Sequence, residues 1–340
     1  MKSLVEIKEL LALSGKPRSV PDPLMAFFLY LKTVNSKQGT LKAFAMNTKE
    51  LGDLAVIIEE MVDYCTQDLR FQIALSKWDD SAKLNHWTFL EFDFKGSLNN
   101  PALDILICDP LGFQQSLVLA NLISWSLEFG RLSEHCQLKI YIPSDTLQIS
   151  GRSCAYFVTD SIARLSNQEQ FNPLYDYMSS NQQEEQQEIA QSTLLHFRES
   201  LAMAYTKEEL DEIYKFNLVV SSLPTRLLRT QHSVETLTKD ILAVEERSLE
   251  IVNKKGDTAA ESINKHSFFV TNRQQEQEYR NMRVNIKMEK LGAQIAEVAA
   301  EMTAEEEEID LFNEAVERHR LPALAEFLNT QMTLRSAVYC

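Results

Sequence analysis

The chain has 340 residues, 44% of them hydrophobic, which is enough for about two domains with a true core and excludes wholesale disorder. Its 49 acidic and 34 basic residues give a net charge of −15, which argues against nucleic-acid or anionic-membrane binding, since both need clustered cations. No apolar run approaches the roughly 20 residues of a membrane span. The first residues carry acids and no secretory core, and the five cysteines form no C-x-x-C pair, so a soluble protein of a reducing compartment is expected.

Residues 3–14 and 48–65 show helical spacing, with Asn47 or Thr48 placed to cap the second segment. Residues 70–76, 87–94, 104–109 and 137–142 are short, rich in Ile, Phe and Leu, and read as strands. Residues 113–129 and 154–165 return to helical spacing. Residues 1–180 therefore read as an α+β domain, a small mixed sheet with helices and a helical N-terminal extension.

Composition shifts after that. Of nine glycines only Gly256 and Gly292 lie beyond Gly151, and no proline occurs between Pro224 and Pro322. Residues 181–190 are a Gln/Glu run that reads as a linker or an exposed first turn. Val234, Leu237, Ile241, Val244, Ser248 and Ile251 step by three and four, as do Val284, Met288, Leu291, Ile295, Val298 and Met302. Residues 181–340 are thus expected to be predominantly helical, as a long-helix hairpin, coiled-coil-like stalk or bundle that turns somewhere in 253–272. The acidic segment Ala304–Glu308 suits a helix start, where carboxylates complement the dipole.

Cys154 follows a polar turn containing Gly151 and opens a helical pattern. Unpaired N–H groups at a helix start favour a thiolate, which is the nucleophilic form. His86 heads a strand, a rigid platform for a general base. A base needs an orienting acid, and by spacing alone Asp93, Asp104 and Asp109 compete for that role. Gln148, six residues before Cys154, is a neutral donor placed to complete an oxyanion hole with the Cys154 N–H. The six histidines show no zinc-ligand spacing, so no metal is expected.

The joint order of these pieces resembles the clan CE cysteine proteases, which include the Ulp/SENP ubiquitin-like proteases and the YopJ-type bacterial effectors. HWTFLEFDF (86–94) stands where that group has His-Trp and an apolar strand. ICDPLG (107–112) stands where it has an apolar pair, the catalytic Asp, two residues and Gly, which selects Asp109. LKIYIP (138–143) matches the strand before the glutamine, and QISGRSCAYF (148–157) matches Gln, five residues, Cys and a small residue. The resemblance covers roughly residues 65–165. Two features depart from the pattern: the His86–Asp109 interval of 23 is long, with Gly96–Pro101 as the inserted turn, and Ala155 stands where Gly is commoner.

The resemblance implies a clan CE (Ulp-like) protease domain that cleaves ubiquitin, or a ubiquitin-like modifier, after its C-terminal Gly-Gly. Cys154 would attack, His86 would carry the proton, Asp109 would hold the His86 tautomer, and Gln148 would bind the oxyanion. Trp87 would wall the channel for the Gly-Gly tail or pack as a core aromatic. No cofactor is implied for that hydrolysis. Ala304–Glu308 also resembles the glutamate-rich block of type IV secretion signals, which implies an effector delivered into a host cytosol, with a host protein bound by the helical region. A YopJ-like acetyltransferase shares the triad but uses an inositol polyphosphate, against which Asp109 and the charge of −15 both count. A non-catalytic helical adaptor is the third reading.

Overall fold

The strand at Leu84–Lys95 shows how the fold is organised: Leu90, Phe92 and Phe94 enter one apolar cluster, while Trp87 and Phe89 enter another. Successive strand side chains point to opposite faces, so a strand apolar at both parities belongs in a sheet covered on both sides. The computed structural model describes residues 4–12, 20–34, 41–79, 84–97, 100–147, 154–166, 174–228, 241–252, 255–266, 293–294, 297 and 307–338.

In chain order the elements begin with α1 (Leu4–Ala12), α2 (Asp22–Val34), β1 (Ala43–Asn47), a single 3-10 turn at Thr48–Glu50, and α3 (Leu51–Tyr64). Next come β2 (Leu69–Asp79), β3 (Leu84–Lys95), β4 (Ala102–Cys108), α4 (Phe113–Ser126), α5 (Phe129–His135), β5 (Gln137–Pro143) and α6 (Cys154–Leu165). The rest are α7 (Leu174–Ser180), α8 (Glu184–Leu201), α9 (Lys207–Ile213), β6 (Asn217–Ser221), α10 (Thr225–Leu228), α11 (Glu245–Leu249), α12 (Ala259–His266), α13 (Glu307–Glu317) and α14 (Leu321–Val338).

The sheet runs β1-β2-β3-β4-β5-β6 in space. β2, β3 and β4 are antiparallel to one another, and β1–β2, β4–β5 and β5–β6 are parallel. Parallel neighbours need crossover connections: α3 supplies the first, α4 and α5 the second, and the segment through α6–α9 the third. α3, α4, α5, α8 and α14 cover one face, and α2, α6, α7, α12 and α13 the other. α6 buries nine of its twelve residues, as expected of a helix enclosed on nearly all sides.

Sequence expectation and structure agree on the four central strands and on the helices at α3, α4 and α6. Asn47 caps the α3 entry: its side chain accepts from the Lys49 N–H at 3.0 Å, and Glu50 accepts from the Asn47 N–H at 2.7 Å. The second half departs from expectation. Asn217–Ser221 is a strand paired with β5, although the region was expected to be predominantly helical. Nor does the stripe ending at Ile251 ride one helix. Val244 is extended ahead of the short α11, Ile251 bridges Thr258 across a turn with Gly256 at φ +80°, and both apolar side chains are exposed. The expected second stripe at 284–302 lies outside the described residues, apart from positions 293, 294 and 297.

Candidate active site

β3 and β4 bring the first two site residues together by register. Phe89 pairs with Cys108, so one step further sets Thr88 against Asp109, two residues from His86 and on the same face. His86 Nε2 lies 2.6 Å from Asp109 Oδ2. The other oxygen, Oδ1, accepts from the Leu111 N–H at 2.8 Å, while the Asp109 N–H donates to Ser116 Oγ at 2.9 Å. The carboxylate is thus held on both oxygens and nearly fully buried. The turn behind it explains the Asp-x-x-Gly spacing. The Gly112 N–H donates to the Asp109 carbonyl at 2.9 Å, and Gly112 sits at φ +105°, where a Cβ would run into Thr146 Oγ1.

Asp104 and Asp93 do not compete. They face each other across β3 and β4, with Asp104 five residues from Asp109, roughly 17 Å along the strand. Burial pushes the Asp104 carboxyl up to about 6.

Cys154 opens α6 with its thiol buried. The Trp87 N–H donates to Cys154 Sγ at 3.4 Å, and Sγ lies 4.0 Å from the Asn85 carbonyl, so the sulfur sits against the backbone on both sides of His86. The His86 ring is hydrogen-bonded to Asp109, and Cys154 is its close neighbour across the site. Burial, the largest single influence, lowers the imidazole pKa, but the hydrogen bond to Asp109 and the interaction with Cys154 together outweigh it and raise the pKa to about 10.

Of the two readings of Trp87, the structure shows the packed one. The side chain is fully buried and donates Nε1–H to the Val20 carbonyl at 2.8 Å, because adjacent strand residues point to opposite faces and His86 takes the open one. Gln148 lies outside the described residues; its neighbour Leu147 donates its N–H to the Pro110 carbonyl at 3.0 Å.

A polar brace with no sequence signature completes the site. Asn85 Nδ2 donates to the Val20 carbonyl at 3.2 Å and to Asp22 Oδ1 at 3.3 Å. Asp22 Oδ1 also accepts from Ser76 Oγ at 2.7 Å, and Ser76 Oγ accepts from Asn47 Nδ2 at 3.1 Å. These bonds tie the starts of α2 and β3 to the ends of β1 and β2. Only tertiary contact reveals them, since the residues are far apart in sequence. In front of His86 lies a cleft of about 80 Å³, lined by Thr48, Ser76, Asp109, Gln115 and Val118 among others. Among the described residues, no three His, Cys, Asp or Glu side chains gather as a metal site would require.

A family model described as YopJ Serine/Threonine acetyltransferase matches residues 28–297. No curated protein matches the chain. Among solved structures, one described as AvrA delL154 with IP6 and CoA is 16% identical, with a TM-score of 0.44 over 79% of this chain and 86% of that one. HopZ1a in complex with IP6 is 13% identical, with a TM-score of 0.47 over 79% and 82%. HopZ1a with IP6 and CoA is 14% identical, with a TM-score of 0.46 over 87% and 93%.

Proposed function

Because the chain belongs to the YopJ serine/threonine acetyltransferase family, we propose that it transfers an acetyl group from a CoA thioester to a hydroxyl or amine of a host protein, through an acetyl-Cys154 intermediate. The observation that carries this reading is His86 hydrogen-bonded to Asp109, with Cys154 Sγ held against the backbone on both sides of His86. With its pKa at about 10, the imidazole is protonated at neutral pH. The Cys154 thiolate attacks the acetyl carbonyl, the carbon–sulfur bond to CoA breaks, and His86 gives its proton to the leaving sulfur. Neutral His86 then takes the proton of the acceptor as the acceptor attacks the Cys154 thioester. The thiolate leaves and the imidazolium is restored. Asp109 holds the ring by Nε2 throughout, and Gln148 joins the Cys154 N–H as oxyanion donor.

Hydrolysis of ubiquitin conjugates shares the first half of this chemistry and differs in letting water resolve the thioester. The family favours transfer over hydrolysis. CoA phosphates, or an inositol polyphosphate, need cations. Arg164, Arg226 and Arg247 gather around the turn entering α10. Arg164 Nη1 donates to the Arg226 carbonyl at 3.2 Å, Arg226 Nε to the Ile251 carbonyl at 2.9 Å, and Arg247 Nη2 to the Leu223 carbonyl at 2.8 Å. These residues would hold such phosphates, although Asp160 and Glu250 already take part of the charge of two of them. Delivery into a host cell as a bacterial effector follows from the same reading, with Ala304–Glu308 as the export segment to delete in a translocation reporter.

The test is intact mass after incubation with acetyl-CoA, with and without inositol hexakisphosphate. An acetyl adduct absent from Cys154→Ala is expected. A ubiquitin probe with a C-terminal thiol-reactive group that labels Cys154, with no acetyl adduct under either condition, would replace transfer by hydrolysis.

A further inference from the structure

We propose that the groove between α4 and α8 docks the acceptor polypeptide, taking a bulky apolar side chain near the modified residue and a basic residue beside it. This rests on the acetyl-transfer reading.

α4 is a surface helix of 14 residues, FQQSLVLANLISWS, with no charged side chain. Outward-facing helix positions are ordinarily polar or charged, yet Val118 is 64% exposed and Leu122 41%. Between α4 and α8 lies a groove of about 590 Å³, lined by Phe113, Leu117 and Val118 on one side and Ile189, His196 and Phe197 on the other. Val118 also lines the cleft in front of His86 and Asp109, so groove and cleft adjoin at that side chain. A polypeptide whose acceptor reaches His86 therefore passes close to the groove.

The chemistry of the lining narrows the occupant. No Lys or Arg lines the groove, so it offers nothing to the phosphates of CoA or an inositol polyphosphate. At its end, Glu185 and Glu188 lie one turn before the lining residues Ile189 and Ser192 on the same rows of α8, and both are exposed. An apolar trough ending in two carboxylates suits an apolar anchor followed by Lys or Arg.

The test uses the full chain and a positional library of short peptides, each with a central Ser, Thr or Lys, read by acetyl transfer from acetyl-CoA. Fluorescence anisotropy of the same peptides on the Cys154→Ala protein is read in parallel. Leu, Met or Phe at one fixed offset should raise kcat/KM and binding about tenfold or more over Ala, with Lys or Arg preferred nearby. Ser192→Arg should abolish the apolar preference, and Glu185→Lys with Glu188→Lys should reverse the basic one. Acetyl loading of Cys154 should be unchanged in these variants. Preferences that are absent, or identical in the variants, would overturn the proposal, as would a dimer dissolved by Ser192→Arg, which would put a second copy in the groove. If Cys154 does not load, acetyl transfer fails, and anisotropy alone still decides the groove.

Discussion

His86 sits where its interactions with Asp109 and Cys154 outweigh desolvation, so its proton is held well into the alkaline range. NMR of the histidine ring should show His86 titrating at about 10, and Asp109→Asn should bring it down toward the ordinary 6.5. Titration of the wild-type ring near 6.5 would refute the arrangement. Because the folded pKa is raised, the stability this group contributes is fully present below about 6.5 and is lost as pH rises through about 10. For activity, Asp109→Asn keeps the shape of the acid but offers an amide to Nε2. A loss of up to about 10⁴-fold in kcat is expected, with KM for the acetyl donor little changed.

At the scale of elements, β2 and β3 carry a buried ion pair that the fold has to satisfy locally. Glu91 is fully buried. Its Oε1 accepts from Arg70 Nε at 2.8 Å, and its Oε2 accepts from Gln72 Nε2 at 3.3 Å. Burial pushes the Glu91 carboxyl up to about 7 against the pull of Arg70. Arg70→Ala would strand a carboxylate inside the sheet and should cost about 3–5 kcal/mol, measured by urea unfolding. Replacing Arg70 and Glu91 together by Met and Leu should recover most of that loss, and equal losses for the single and double variants would show that the pair is not the cause. The same strands show what was legible in the sequence. β2 to β5 are long or strongly apolar and were readable from pattern alone. β1 and β6 are five-residue edge strands, AFAMN and NLVVS, too short for alternation to stand out.

The whole molecule is joined across its midpoint. Both apolar clusters draw on residues before and after 180: Val220 and Leu324 pack with Phe71 and Ile105, and Phe312 and Val316 with Phe27 and Val158. The C-terminal helices are also tied to β1. The Ala45 N–H donates to the His319 carbonyl at 2.7 Å, and His319 Nδ1 lies 2.7 Å from the Ala43 carbonyl. Fragments 1–180 and 181–340 made separately should each lack a cooperative thermal transition in calorimetry, and co-expression should restore one. A sharp transition in either fragment alone would show that it folds independently.

From sequence alone, local chemistry was within reach: the strand ending in Asp109, the Gly112 turn, the helix opening on Cys154, the cap at Asn47 or Thr48, and the order that joined them into one family resemblance. Each depends on neighbours a few residues away, through φ preference, side-chain period or an N–H left free at a helix start. The register that brings Asp109, already selected by the resemblance, against His86, the burial of Trp87 on the face away from the cleft, the brace from Asn85 to Asp22, and the entry of β6 into the sheet were shown only by the tertiary structure. They arise from pairing and packing between segments tens of residues apart, where a one-residue change of register would move every side chain to the other face with no change in local pattern.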